Sequence, residues 1–144
     1  MAAWRPEEAS VSTHTSQREL QRSAGALFLG LVVVVVLSLL ADQVARMLGL
    51  LPPDDQPAEG RALILPFVYR SVIVVLSAYL VARVAPYAPM GHALASGALG
   101  LALSIVGAVA QWDLGSHWYP IAIVITAVPY SWLGGLIHRK LHSA

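Results

Sequence analysis

Residues 24–41 read AGALFLGLVVVVVLSLLA, eighteen positions without a charged side chain. About 20 apolar residues at a helical rise of 1.5 Å are needed to cross roughly 30 Å of hydrocarbon. The five consecutive valines at 32–36 would suit a buried strand in a water-soluble protein. In lipid, however, every backbone polar group must be paired within the segment, and a helix achieves this. The stretch therefore predicts a transmembrane helix.

The composition of the whole chain points the same way. Of its 144 residues, 57% are hydrophobic and 12% are charged, whereas soluble domains carry about 25% charged residues. The mean hydropathy is +0.66, so much of the exterior is expected to face the lipid bilayer. A net charge of +1 without a basic stripe gives no case for nucleic-acid binding. The lack of cysteine excludes disulfides and thiolate metal sites.

Three further apolar stretches follow the first. They predict an all-α membrane protein, a four-helix transmembrane bundle at residues 23–140 with spans at about 24–48, 62–84, 90–111 and 118–138. Residues 1–22 are polar and predict a mostly disordered cytoplasmic tail, in which residues 16–22 could form a helical lead-in. The alternative for the first span is a cleaved signal peptide. Its 22-residue leader contains three acids, where a short basic region would be expected.

Lysine and arginine counts predict the orientation, because cytoplasmic segments are enriched in basic residues. With the N-terminus inside, only Arg46 and Arg61 lie in outer segments. The cytoplasmic side then holds the six basic residues Arg5, Arg18, Arg22, Arg83, Arg139 and Lys140. Both termini are therefore predicted to be cytoplasmic.

Small residues predict where the helices pack, because lipid provides no hydrophobic force between helices and close backbone approach takes its place. The third span has a ridge at four-residue spacing, which we term the α3 ridge: Ser96, Gly100, Ser104 and Ala108. A neighbouring row, Ala93 and Gly97, widens this small-residue surface. The two rows predict that the third helix is central and contacted on both sides. Gly134 and Gly135 predict a second close contact in the fourth span, where Pro129 either bends the helix for packing or provides a hinge.

Arg70 is the charged residue that does not fit a plain apolar span. A charge within the bilayer costs about 2.5–3.5 kcal/mol on insertion scales, and such residues usually face the bundle interior with a partner. Asp42 and Asp113 are the obvious partners, with Glu59 as a third. Two alternatives stay open: Pro66 starts the helix and Arg70 snorkels to the headgroups, or Arg70 contacts a substrate or ion.

No catalytic or metal-binding pattern accompanies this arginine. His138 and His142 have i, i+4 spacing, but a metal site needs three or four ligands and the sequence shows no third. A basic end attracted by anionic headgroups is the better interpretation. No serine has a histidine and an acid in a triad-like arrangement, and no phosphate-binding loop occurs. We therefore predict no enzyme, no cofactor and no metal.

Residues 69–135 resemble a family of short bacterial membrane proteins of uncharacterised activity. The resemblance is carried by Tyr69-Arg70, Ala82-Arg83-Val84-Ala85-Pro86, Pro89-Met90-Gly91-His92-Ala93, Trp112-Asp113, Trp118-Tyr119-Pro120, Pro129 and Trp132-Leu133-Gly134-Gly135. It covers about half of the chain. It implies a four-helix protein of the bacterial inner membrane and brings no activity with it.

Three functions compete at this point. The favoured one is a non-enzymatic accessory or structural component, in a homo-oligomer or a larger membrane complex. The alternative is a small oligomeric transporter or channel that uses Arg70 with the outer-side acids Asp42 and Asp113. The third is a membrane enzyme, in which these three side chains would converge on a lipid phosphate.

Overall fold

The computed structural model describes residues 6–53, 56 and 58–142, and all regular structure in this part of the chain is helical. There are four α-helices: α1 (Pro6–Met47), α2 (Ile64–Val84), α3 (Pro89–Ala110) and α4 (Trp118–His142). Short 3-10 turns, Gly60–Leu63 and Trp112–Leu114, precede α2 and follow α3. Each α-helix is long and apolar enough to cross a membrane. The all-α, four-helix prediction is confirmed, and this architecture suggests a multi-pass membrane protein.

Helix α1 begins much earlier than expected, at Pro6. The predicted disordered tail is therefore wrong for residues 6–22, which are helical, whereas the helical lead-in at 16–22 is confirmed. Proline suits a first helical turn. No glycine or proline lies between Pro6 and Gly25. The helix of the apolar segment therefore extends through these residues without a separate nucleation step. Residues 1–5 of the predicted tail lie outside the described residues.

Helices α1 and α2 run antiparallel. Near the end of α1, Asp42 contacts Arg70 in the first half of α2. Further from that end, the Ser77 hydroxyl of α2 donates a buried hydrogen bond of 2.8 Å to the Gly30 carbonyl. Later positions of α1 therefore contact earlier positions of α2.

Helices α2 and α4 run parallel. The rings of Phe67 and Trp118 lie 6.3 Å apart near the start of both helices. The rings of Tyr79 and His138 lie 5.9 Å apart near their ends. With α3 antiparallel to α4, the four helices alternate in direction. We call the end with the two long connections, residues 48–59 and 111–117, the loop end, and the opposite end, where α1 starts and α4 stops, the terminal end.

Helices α2 and α3 each contact all three other helices. Helix α1 does not pack along α4, and its contact with α3 is the lightest between helices that lie side by side. Helix α3 is therefore contacted on both sides, as predicted, and it shares the centre of the bundle with α2. Ala78 and Ala82 of α2 are both 1% exposed and form a buried cluster with Ala93 of α3.

The paired glycines of α4 lie where the helices approach most closely. A Cβ added at Gly134 would come within 2.5 Å of the Val75 carbonyl oxygen and 2.8 Å of the Ala78 Cβ on α2. One added at Gly135 would lie 2.9 Å from the Ala93 Cβ on α3. The predicted packing role of both glycines is confirmed, and they join α4 to two neighbours at once.

Candidate functional site

A polar network joins α1 to α2 near the loop end. The Arg70 guanidinium donates to a carboxylate oxygen of Asp42 at 2.6 Å, and the hydroxyl of Tyr69 donates to the other oxygen. Arg70 lies six residues after the start of α2, about 9 Å along the helix. The predicted ion pair of Arg70 with Asp42 is confirmed, and the helix starts before Pro66, so the alternative start at that proline is wrong.

Tyr69 was missed by the sequence analysis as a member of this network. Successive helical positions point about 100° apart, which usually prevents neighbours from sharing one partner. Here the carboxylate of Asp42 lies between the two side chains and accepts one hydrogen bond on each oxygen. The sequence signal for this arrangement was the adjacent pair Tyr69-Arg70, which shares one acidic partner, Asp42.

Two buried polar atoms beside this network have no hydrogen-bond partner among the described residues. They are Nε of Arg70 and the hydroxyl oxygen of Tyr119. The Arg70 guanidinium carbon lies 5.9 Å from the centre of the Tyr119 ring, so α4 brings this tyrosine over the arginine. Buried polar groups normally find a partner, and an unmet one costs about 1–3 kcal/mol. Two neighbouring groups of the site therefore have a hydrogen-bond donor that is not used.

The network forms one wall of a half-open cavity of about 850 Å³ between the helices. All four helices line it, mostly with apolar side chains such as Val34, Val74 and Ile123. Ligand sites in proteins have volumes of about 300–1,000 Å³, with a largely apolar lining and a few polar groups that fix the orientation of the ligand. The cavity has both properties.

The α3 ridge faces this cavity instead of a neighbouring helix. Ser96, Gly100, Ser104 and Ala108 are all half-buried and all line the cavity. A Cβ added at Gly100 would meet no atom within 4 Å. The predicted packing role of the ridge is therefore wrong. The residues that pack α3 on α4 lie in the adjacent row, where a Cβ at Gly97 would lie 2.7 Å from the Ser131 Cβ.

Asp113 does not join Arg70. It lies in the 3-10 turn Trp112–Leu114, is exposed, and is not among the residues that line the cavity. Glu59 is also exposed and precedes the turn Gly60–Leu63. The predicted convergence of Asp42 and Asp113 on Arg70 is wrong for Asp113. The reason is that α3 ends at Ala110, so Asp113 lies beyond the helix in an exposed turn.

The terminal end of the cavity is closed by close helix packing. The alanine cluster of α2 and α3 lies at this end, together with Gly134 and Gly135. The side chain of Val81 is fully buried there against α1 at Gly30. Since the polar network lies toward the loop end, the charged side chains of the cavity lie at that end, away from the alanine cluster.

The two histidines at the end of α4 stack on each other. The rings of His138 and His142 lie 4.4 Å apart at an interplanar angle of 19°. Within the described parts of the chain, no group of three or more histidine, cysteine, aspartate or glutamate side chains could hold a metal ion. The histidine pair therefore belongs to the terminal surface and is separate from the cavity.

Comparisons of the chain with protein-family models, with curated proteins and with solved structures found no match.

Proposed function

We propose that this chain is a multi-pass protein of the bacterial inner membrane that works without catalysis, as an accessory component that holds a small molecule in its intramembrane cavity. The observation that carries this proposal is the lining of the cavity by the Asp42–Arg70 pair. The side chain of Arg70 is 35% exposed and lines the cavity, so protein does not seal the ion pair on all sides. The charged pair thus faces a space large enough for a ligand.

The proposed orientation has both termini in the cytoplasm. The first residue of α1 and the last of α4 lie at the same end of the bundle, which is the end that carries Arg83, Arg139 and Lys140. The loop end carries Glu59 and Asp113. This distribution supports a cytoplasmic terminal end under the positive-inside rule.

A small oligomeric transporter is the second candidate, and the same exposure of Arg70 favours it. Intramembrane charges commonly mark substrate pathways. The closed terminal end counts against an open channel, because a solute at the network would meet the alanine cluster before it reached the other side. Transport would require α1 or α3 to move away from α2.

The test measures occupancy of the cavity without assuming a ligand. The protein is purified from its native membrane and weighed intact by native mass spectrometry. Gly100→Leu fills the cavity, because the added side chain meets no atom near its Cβ. Ala102→Leu is the matched control, since Ala102 lies on the exposed side of α3 and outside the cavity lining.

We expect a bound non-protein mass on the wild type and on Ala102→Leu, and its loss from Gly100→Leu with an unchanged circular dichroism spectrum. No bound mass on any variant, or the same bound mass on all three, would overturn the proposal. A proteoliposome flux screen that finds solute movement in the wild type and none in Arg70→Met would favour the transporter instead.

A further inference from the structure

The charged side chains of the described cavity lining are already engaged within the protein. Asp42 and Arg70 neutralise each other, and both oxygens of Asp42 accept a hydrogen bond. Arg46 has an interaction of its own. The unused donors at Nε of Arg70 and at the hydroxyl of Tyr119 are fully buried, so a ligand does not reach them. A ligand held as the proposed function requires, on which this inference rests, therefore finds no charge to pair with.

Some hydroxyls of the lining, by contrast, are unused and within reach. Serines in membrane helices usually donate to a carbonyl of their own helix, as Ser71 and Ser96 do at 2.7 Å. The hydroxyls of Ser38, Ser104 and Tyr130 line the cavity without any hydrogen bond to the described residues, and none of the three is fully buried. A hydroxyl both donates and accepts, so each can bond a neutral oxygen-bearing group.

Two of these hydroxyls lie near the depth of the polar network. Ser38 lies four residues before Asp42 on α1. Ser104 lies six residues before the end of α3, just as Arg70 lies six residues after the start of α2. Helices α1 and α3 have the lightest contact of any neighbouring pair. The two serines thus lie on the side where a lipid enters the cavity from the bilayer with least obstruction.

The remainder of the cavity fits an apolar chain. On α4 the lining runs from Tyr119 to Ser131, twelve residues or about 18 Å at helical rise. The hydroxyls of Thr126 and Ser131 in this part donate to carbonyls of α4, at 2.6 and 2.9 Å. Tyr130 is the exception, since its hydroxyl is unused and lies farther from the loop end than the two serines. Most of this length therefore offers an apolar surface.

From these features we infer that the cavity binds an uncharged lipid with a small head of hydroxyl or ester oxygens, such as a monoacylglycerol. The head exchanges hydrogen bonds with Ser38 and Ser104, and the alkyl chain lies along the α3 ridge toward the alanine cluster. A charged head would lose its hydration in the cavity without gaining a partner of opposite charge. Binding involves no covalent step.

The test compares three probes of matched chain length on the full chain, purified in a maltoside detergent. Monopalmitoyl glycerol has an uncharged head, ionised palmitate has a charged head, and hexadecane has no head. Binding is titrated by native mass spectrometry and by thermal shift. Monopalmitoyl glycerol should bind at least tenfold more tightly than palmitate. It should also bind about tenfold more tightly than hexadecane, as two hydrogen bonds between neutral groups imply.

Matched serine variants locate the head. Ser104→Ala removes an unused hydroxyl and should weaken monopalmitoyl glycerol binding about threefold to tenfold, as the loss of one neutral hydrogen bond implies. Ser38→Ala should act in the same way. Ser71→Ala is the control, because its hydroxyl lines the cavity but already bonds to its own helix, and the affinity should stay within twofold. Hexadecane should bind all three variants equally, whereas a merely distorted cavity would weaken it too.

Palmitate binding as tight as that of monopalmitoyl glycerol, or equal effects of Ser104→Ala and Ser71→Ala, would overturn this inference. Equally tight binding of hexadecane would do so as well, since the cavity would then select for apolar bulk alone. A loss of monopalmitoyl glycerol binding in Tyr130→Phe but in neither Ser38→Ala nor Ser104→Ala would contradict the placement of the head.

The failure of this inference can be told apart from that of the proposed function. If no probe binds while the purified protein still carries a mass that Gly100→Leu removes, the ligand class is wrong and the proposed function stands. If no variant carries a bound mass, the proposed function itself fails.

Discussion

The Ser77 hydroxyl on α2 donates a buried hydrogen bond of 2.8 Å to the carbonyl oxygen of Gly30 on α1. The missing side chain of Gly30 makes this possible, since a Cβ there would lie 3.2 Å from that hydroxyl and collide with Val81. Serines in membrane helices commonly bond to their own helix, as Ser71 does to the Phe67 carbonyl. Ser77 instead fastens α1 to the rest of the bundle.

Ser77→Ala is expected to loosen α1 with a modest loss of stability. Hydrogen bonds between membrane helices contribute about 0.6 kcal/mol on average and about 1.7 kcal/mol at most. Ser71→Ala is the control, because it removes a hydrogen bond within α2 and should have a smaller effect. Thermal unfolding in detergent measures both, and a larger loss for Ser71→Ala would contradict the assignment.

Gly134→Ala is expected to destabilise the bundle by about 1–3 kcal/mol, the usual cost of overpacking. The new methyl group would lie 2.5 Å from a backbone oxygen of α2, which cannot rotate away as a side chain does. Gly100→Ala is the control on α3, since its methyl group enters open space. Alanine is about 1 kcal/mol more favourable than glycine in a helix, so this control should hold or gain stability in the same melting experiment.

Asp42 and Arg70 should show an energetic coupling in the free energy of unfolding. Single variants, Asp42→Asn and Arg70→Met, each leave one charged or polar group without its partner in the membrane. The double variant should lose less than the sum of the two, with a coupling energy of about 0.5–3 kcal/mol. Strictly additive losses in chemical or thermal unfolding would show that the two side chains do not depend on each other.

The proposed orientation can be tested with single cysteines, because the chain contains none. Asp113→Cys places a thiol on the exposed loop end, and Leu141→Cys places one on the exposed terminal end. In intact spheroplasts, a membrane-impermeant maleimide should label position 113 and spare position 141. Lysis should make position 141 reactive. The reverse pattern would mean that the termini face outward.

The number of helices and the limits of α2 and α3 could be predicted from the sequence, because the hydrocarbon layer imposes a length that apolar segments must match, whereas the start of α1 at Pro6 could not. The predicted start of α4 at 118 and end of α2 at 84 agree with the structure. The charge of Arg70 within an apolar span was equally informative. It predicted an acidic partner, and Asp42 is that partner. Both predictions rest on large free-energy costs, which leave few alternatives.

The arrangement of the helices could not be predicted, because small residues occur on several faces and each face can serve for packing. The α3 ridge has the regular spacing that favours a close contact, yet it lines the cavity, while the neighbouring Gly97 packs against Ser131. Which row is used depends on the side chains of the opposing helix, and a single sequence does not reveal which helix that is. Asp113 illustrates the same limit, since its position depends on how the chain leaves α3.

The contact of α2 with all three other helices has a consequence for biosynthesis. In the proposed membrane arrangement, the first two spans would leave the ribosome as a hairpin joined at Gly30 and Asp42. The backbone of α2 that packs on Gly134 would stay uncovered by protein until α4 is made. Lipid or a membrane chaperone would have to cover this narrow surface until then. A chain truncated before α4 would keep it uncovered, even with three complete spans in place.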